Sequence, residues 1–446
     1  MLGEKRVKKL IEGILARSTA DQTEVVVLAG DEYLTRFANS TIHQNVAETN
    51  SEVRIRVVLG SRVGVATTNN LDDKALAQTL ESALAIARLQ PENPNFKSLP
   101  GPQPLPRFEA FSQATAGCTP EQRVKGVGAI CLMARDKGVV ASGALTTAVV
   151  ELGVANSLGV FGHFATTQAE INTVIMSDTS AGYASDMALD LDDLDFEAIG
   201  REAVEKCLRS QKPRALEPGD YTVILEPYAV QDFIQMMAYT GFSAVAMQEG
   251  RSFMVGKIGQ QIVDPRVSIW DDGTDPRGLP LPFDFEGVPK QRVDLIEKGV
   301  ARGVVYDSYR AGKENKTSTG HALPAPAAFG PFPLNAFFGP GDATLDEMIA
   351  GTERGLYVTR FHYTRPVEPT RVVVTGMTRD GTFLIENGEI ASPVKNLRFT
   401  QSYLEALNRV DMIGKDLRLL SGMFLGGTVQ PALKLGSFTF TGATEF

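Results

Sequence analysis

The first half of the chain repeats itself, and that repetition limits the possible folds more than any other feature. Glu4, Arg6, Val7 and Lys8 recur as Glu121, Arg123, Val124 and Lys125, 117 residues further on. Ala38-Asn39-Ser40 recurs as Ala155-Asn156-Ser157 at the same offset. Ala16-Arg17 matches Ala134-Arg135, and Gly64 matches Gly182, at 118; Leu71-Asp72-Asp73 matches Leu191-Asp192-Asp193 at 120. A near-constant offset held across separate patches marks one supersecondary unit used twice.

Each copy reads as helix, several strands, helix. In the first, residues 24–28, 35–37, 53–59 and 63–67 are β-branched or alternating runs punctuated by Gly or Asn-Ser. Leu76, Leu80, Ala83, Leu84 and Ala87 then recur at helical spacing, with Asn70 or Asp72 available as a cap. In the second, the strands fall at 148–154, 160–166, 170–176 and 183–187, and Phe196, Ile199, Ala203 and Cys207 form the closing stripe. Asn39-Ser40 and Asn156-Ser157 have hairpin-turn chemistry.

Between the copies, six prolines from Pro91 to Pro106 preclude helix and central strand. A second break falls near Gln211-Lys212-Pro213. The expected organisation is an N-terminal domain, 1–212, with copies at about 1–90 and 119–212 joined by a Pro-rich connector, 91–118. A C-terminal domain follows, 213–446. The expected fold class is α+β: the duplicated helix–antiparallel strands–helix unit, then a mostly antiparallel β domain with a few helices.

The formal charge of −9 argues against a general nucleic-acid surface, which needs a basic stripe to displace phosphate counterions. No apolar run approaches the roughly 20 residues that span a bilayer. The start of the chain has helically spaced apolar residues rather than a continuous signal-peptide core. Three cysteines, Cys118, Cys131 and Cys207, form neither a metal spacing nor an even framework. A reducing, cytoplasmic location is the simplest expectation.

In the C-terminal half, Glu226-Pro227 opens a helix expected to run to about Met247, with Pro at the first helical position. Val230, Phe233, Ile234 and Met237 form its apolar face, and by itself this is an amphipathic helix on a sheet. Gly250-Arg251-Ser252-Phe253 and Gly256-Lys257-Ile258-Gly259 follow. Next come 355–360, Phe361-His362-Tyr363, and 375–388 with Asp380-Gly381 and Asn387-Gly388 as hairpin-turn pairs. Residues 395–399, Asn408-Arg409-Val410 and Gln430-Pro431-Ala432-Leu433-Lys434 complete the series.

In this order, and with the duplicated half, these segments resemble the TldD/PmbA family, formerly called modulators of DNA gyrase. The resemblance covers essentially the whole chain. It implies that the 227–247 helix is the one that carries HExxxH in protease-type members. There, two imidazoles a little over a helical turn apart hold zinc, and the Glu takes a proton from bound water. Counting back from Gly250 without a gap puts Gln235, Met236 and Thr240 at those positions. None of the three can do that chemistry. The cysteine of protease-type members falls, with a gap, at Ser421.

The departure resembles the PmbA, or TldE-like, branch. It implies no catalytic residue, metal or cofactor in this chain, with zinc expected only in a partner subunit. The implied assembly is a homodimer, or a heterodimer with a TldD-like zinc-bearing homologue, enclosing a chamber for unfolded peptide. Arg251, Arg360, His362 and Tyr363 are the candidate peptide contacts; for His362 a structural place at a strand edge is the alternative. Other readings are a self-sufficient peptidase using Cys118, Ser421 or a metal elsewhere, and a peptide-binding scaffold without a proteolytic role. The four histidines (His43, His163, His321, His362) lack zinc spacing. The acidic run 186–197 suits a helix start better than calcium. The Pro- and Phe-rich 324–340 loop reads as core cover, groove lining or subunit contact.

Overall fold

The computed structural model describes residues 1–444. The repeat becomes a single six-stranded antiparallel sheet. The first copy supplies α1 (Glu4–Arg17), β1 (Gln22–Ala38), β2 (Thr41–Leu59), β3 (Arg62–Thr68) and α2 (Asp73–Leu89). A short α3 (Gln113–Ala116) ends the connector. The second copy supplies α4 (Pro120–Asp136), β4 (Val140–Asn156), β5 (Phe161–Met176), β6 (Ala181–Ala188) and α5 (Phe196–Arg209). The strand order is β3-β2-β1-β4-β5-β6, so the copies join through an antiparallel β1–β4 pair.

The match extends to atomic detail. A Cβ on Gly64 would lie 2.2 Å from the Ala83 carbonyl oxygen of α2; one on Gly182 would lie 2.1 Å from the Ala203 oxygen of α5. In each copy the edge strand drops to glycine so that the closing helix can reach the sheet. Thr119 forms a capping box at α4, and Asp195 caps α5 by accepting from the Ala198 N–H. Asp72 holds the cap position of α2 without a side-chain bond.

The strands are longer than the sequence pattern suggests. Residues 24–28 and 35–37 belong to one strand, as do 161–166 and 170–176. The inner ends of the strands are buried on both faces: Val25 and Val27 face the helices, while Val26, with Leu152 and Phe164, packs against the C-terminal domain. Asn39 and Ser40, at φ 51° and 54°, make the β1–β2 hairpin turn.

The C-terminal domain comprises β7 (Gly219–Leu225), α6 (Pro227–Thr240), α7 (Ala244–Gln248), β8 (Ile269–Asp271), β9 (Val293–Glu297), β10 (Val300–Ala301), α8 (Ser308–Lys313) and β11 (Asn335–Phe338). It continues with α9 (Leu345–Ala350), β12 (Arg354–Glu368), β13 (Val373–Glu386), β14 (Glu389–Pro393), β15 (Leu397–Ser402), α10 (Tyr403–Leu407), β16 (Val410–Ile413), β17 (Arg418–Ser421), β18 (Gly427–Gln430) and β19 (Leu433–Ala443). One six-stranded sheet has the order β10-β9-β8-β11-β18-β17. A second runs β12-β7-β19-β15-β13-β14, and β12 also pairs with β13, so five of its strands close into a ring. Most pairings are antiparallel; β7–β12 and β11–β18 are parallel. The architecture is therefore α+β, with a helix and antiparallel-sheet unit followed by a mostly antiparallel β region.

Two local expectations are corrected. The 227–247 helix breaks at Gly241, where a Cβ would strike the Phe253 ring at 2.2 Å, and resumes as α7. Asp380-Gly381 is not a hairpin turn: both residues have positive φ inside β13, opposite an irregularity in β12. Asn387-Gly388 does form the β13–β14 turn.

Candidate functional site

Helix α6 carries a polar stripe on an otherwise apolar cylinder. Tyr228, Gln231, Asp232 and Gln235 recur at i, i+3, i+4 and i+7, while Val230, Phe233, Ile234 and Met237 are fully buried. Phe233 stacks on Tyr403 with centroids 3.9 Å apart, which fixes the helix and turns its stripe toward the N-terminal sheet. There, Glu170 of β5, Tyr183 and Ser185 of β6, Arg360 of β12 and Ser421 of β17 close a polar cleft of about 180 Å³ at the domain junction.

The structure thus brings Gln235, Ser421 and Arg360 together, although 186 positions separate the first two in sequence. Gln231 Nε2 donates to the Ser421 carbonyl at 2.7 Å and to Thr428 Oγ1 at 3.0 Å, holding both arms of the β17–β18 hairpin to α6. Met236 leaves the cleft and packs at the edge of the core. Thr240 is buried, and its hydroxyl donates to the Met236 carbonyl at 2.7 Å.

Electrostatics at the cleft are set by burial. Asp232 is raised to about 6 by desolvation, against hydrogen bonds from Thr364 and Tyr403. Burial also raises Glu170, while the Ser421 hydroxyl opposes the shift. Behind the cleft, Glu202 is desolvated, but Lys206 and Arg418 outweigh that and hold it at about 2. Arg418 Nη2 lies 3.0 Å from Glu202 Oε2, and the same guanidinium donates to the Tyr228 hydroxyl. This wall is a fixed ion network beside two carboxyl groups, Asp232 and Glu170, whose pKa values burial raises.

Arg360 reaches the cleft already committed: its guanidinium pairs with Asp380 and lies 4.0 Å from the Tyr183 ring centroid. His362 is on β12 but outside the lining residues; burial, then Arg379 and Arg360, lower its pKa. Tyr363 is 67% exposed, at φ 57°, with Arg365 over its ring. Arg251 lies away from the cleft, paired with Glu249 at 2.9 Å just beyond α7. Cys118, the nucleophile of the alternative peptidase reading, is buried: it is 7% exposed, and burial pushes its pKa up, with Arg123 as its charged neighbour. His163 pairs with Glu151, and His321 lies wholly buried against Asp271. Among the described residues, no group of three or more His, Cys, Asp or Glu side chains is placed to hold a metal ion.

Sequence reasoning missed Asp232, Tyr228, Gln231 and Glu170. The first three had a visible signal in the polar spacing along α6. Glu170 had none, because its approach depends on how the domains dock.

Comparison with known proteins accounts for this architecture. Models of PmbA/TldA metallopeptidase domain 1, the central domain and the C-terminal domain match residues 23–87, 120–211 and 218–442. The chain belongs to the TldD/PmbA family. It is 24% identical to the metalloprotease PmbA of Escherichia coli O157:H7, across 97% of this chain and 95% of that one. It is 30% identical to a metalloprotease of Methanothermobacter thermautotrophicus over 240 residues. That match spans about half the length of each protein, 53% and 52%. In structure it resembles TldE from Thermococcus kodakarensis, with a TM-score of 0.89 at 22% identity over 98% of this chain and 99% of that one.

No helix among the described residues is long and apolar enough to cross a membrane.

Proposed function

We propose that this chain is the zinc-free member of a TldD/PmbA-type peptidase system, holding extended peptide rather than cutting it. One observation carries the reading: the family framework is complete, yet the HExxxH positions hold Gln235, Met236 and Thr240, and only Gln235 faces the cleft. A carboxamide, a thioether and a hydroxyl turned to its own helix supply neither imidazole ligands nor a general base. Backbone pairing with β6 or β17, the outermost strands of their sheets and both lining the cleft, would hold peptide with little sequence demand. A TldD-like homologue would supply zinc and the hydrolytic step.

A cysteine peptidase acting alone is disfavoured, because Cys118 is buried with a raised pKa and a catalytic cysteine needs a thiolate. The deciding experiment is affinity purification of the chain from its own cells, followed by metal analysis and casein hydrolysis. Recovery with a homologue bearing HExxxH, and zinc at one ion per pair, supports the reading. One tightly held zinc per protomer of the isolated chain, with chelator-sensitive hydrolysis, overturns it.

A further inference from the structure

The floor of the polar cleft continues along β5. Glu170 lines the cleft, and Gln168, Thr166 and Phe164, each two residues further on and on the same face, line a second recess. Leu28 of β1 and Val150 of β4 complete its floor. No lining residue is charged, and the space is about 40 Å³. The roof is the β17–β18 turn, where Phe424 and Leu425 stand at φ 54° and 69°, 37% and 54% exposed. Left-handed backbone is costly for such bulky residues and persists where the surroundings impose it. Here the Gln231 bonds hold both arms of the hairpin, and Gly426 packs so closely that a Cβ would sit 2.3 Å from the Leu334 oxygen.

We propose that this recess is a side-chain pocket for one aliphatic residue of a peptide lying along the polar cleft. The inference rests on the peptide-holding reading above and adds selectivity to it. Strand β5 is already paired with β4 on one edge and β6 on the other, so a peptide lies over its face, and an extended one presents alternate residues toward that face. With one residue over Glu170, a residue two or four positions away stands over the recess. The space exceeds what a water needs, and its uncharged walls favour methyl groups over water.

The test uses fluorescein-labelled nonapeptides of Ser and Thr with a single central Ser, Asp, Val or Leu. Binding to the full chain is read by fluorescence anisotropy. The Val and Leu peptides are expected to bind roughly tenfold tighter than the Ser peptide, with Asp no tighter than Ser. Val150→Phe, which fills the recess from its half-buried floor, should bring that ratio to about one while leaving the Ser peptide unchanged. Leu425→Gly, which relieves the left-handed position and thins the roof, should lower the ratio without unfolding the domain. Equal affinities for all four peptides in the unmodified chain overturn the pocket and leave peptide holding intact. A ratio unchanged in both variants does the same. Absence of binding by every peptide overturns both the holding function and the pocket.

Discussion

Asp232→Asn tests the electrostatics of the cleft. The carboxyl of Asp232 stands at about 6, displaced from 3.8 by desolvation. Because the folded value lies above the unfolded one, the native state binds the proton more tightly. The stability this contributes is complete below about pH 4 and disappears as pH rises through 6. A tenfold change in proton affinity corresponds to about 1.4 kcal/mol, so ionised Asp232 costs at most about 3 kcal/mol; residual exposure to the cleft reduces this to about 2. Asparagine resembles the protonated acid, keeping an oxygen to accept from Tyr403 and offering an amide to Thr364. Trp270, the only tryptophan, sits in β8 and reports unfolding of the C-terminal domain without requiring the whole chain to melt as one unit. Urea titrations followed by its fluorescence should show variant and parent within about 1 kcal/mol at pH 4, and the variant about 2 kcal/mol more stable at pH 7.5. A difference that does not change with pH refutes the assignment of a near-neutral carboxyl to this position.

Three further outcomes follow from the geometry. Gly64→Ala and Gly182→Ala should each cost about 1–3 kcal/mol by pressing a methyl into a helix backbone, read as matching drops in Tm; a neutral result at either site breaks the equivalence of the two copies. Glu24, Asp284 and Asp307 at the domain junction are raised by burial to about 7, 8 and 6, so Tm should fall steadily from pH 5 to pH 9, and Asp284→Asn should flatten the slope. All three cysteines are buried, so Ellman's reagent should label none of them rapidly until urea is added; fast native labelling of Cys118 would revive a thiol mechanism.

The repeat was legible in the sequence because each copy keeps the residues that contact its own helices, Gly64 and Gly182 included. Strand length was not. Gly30-Asp31-Glu32 looks like turn chemistry, yet Gly30 lies mid-strand because a Cβ there would stand 2.6 Å from the Val149 oxygen. The outer half of β2 is polar and exposed on both faces, so it carries no alternating signal. Asp380-Gly381 was misread because a left-handed pair serves a strand irregularity as well as a hairpin. At the cleft, Gln235 and Ser421 could be marked only by family resemblance, and Arg251 does not line it because adjacency in sequence says nothing about which way a loop leaves α7. The buried carboxyls were invisible, since a one-dimensional string does not reveal desolvation.

The ring of five strands has a bearing on biosynthesis. Its gap between β7 and β15 is filled by β19, which follows every other strand in chain order. While the ribosome is still extending the nascent polypeptide, Phe361 and Phe399 have no Phe438 to pack against. The domain that forms half of the cleft therefore stays open during translation, exposed to chaperones, until its last strand emerges.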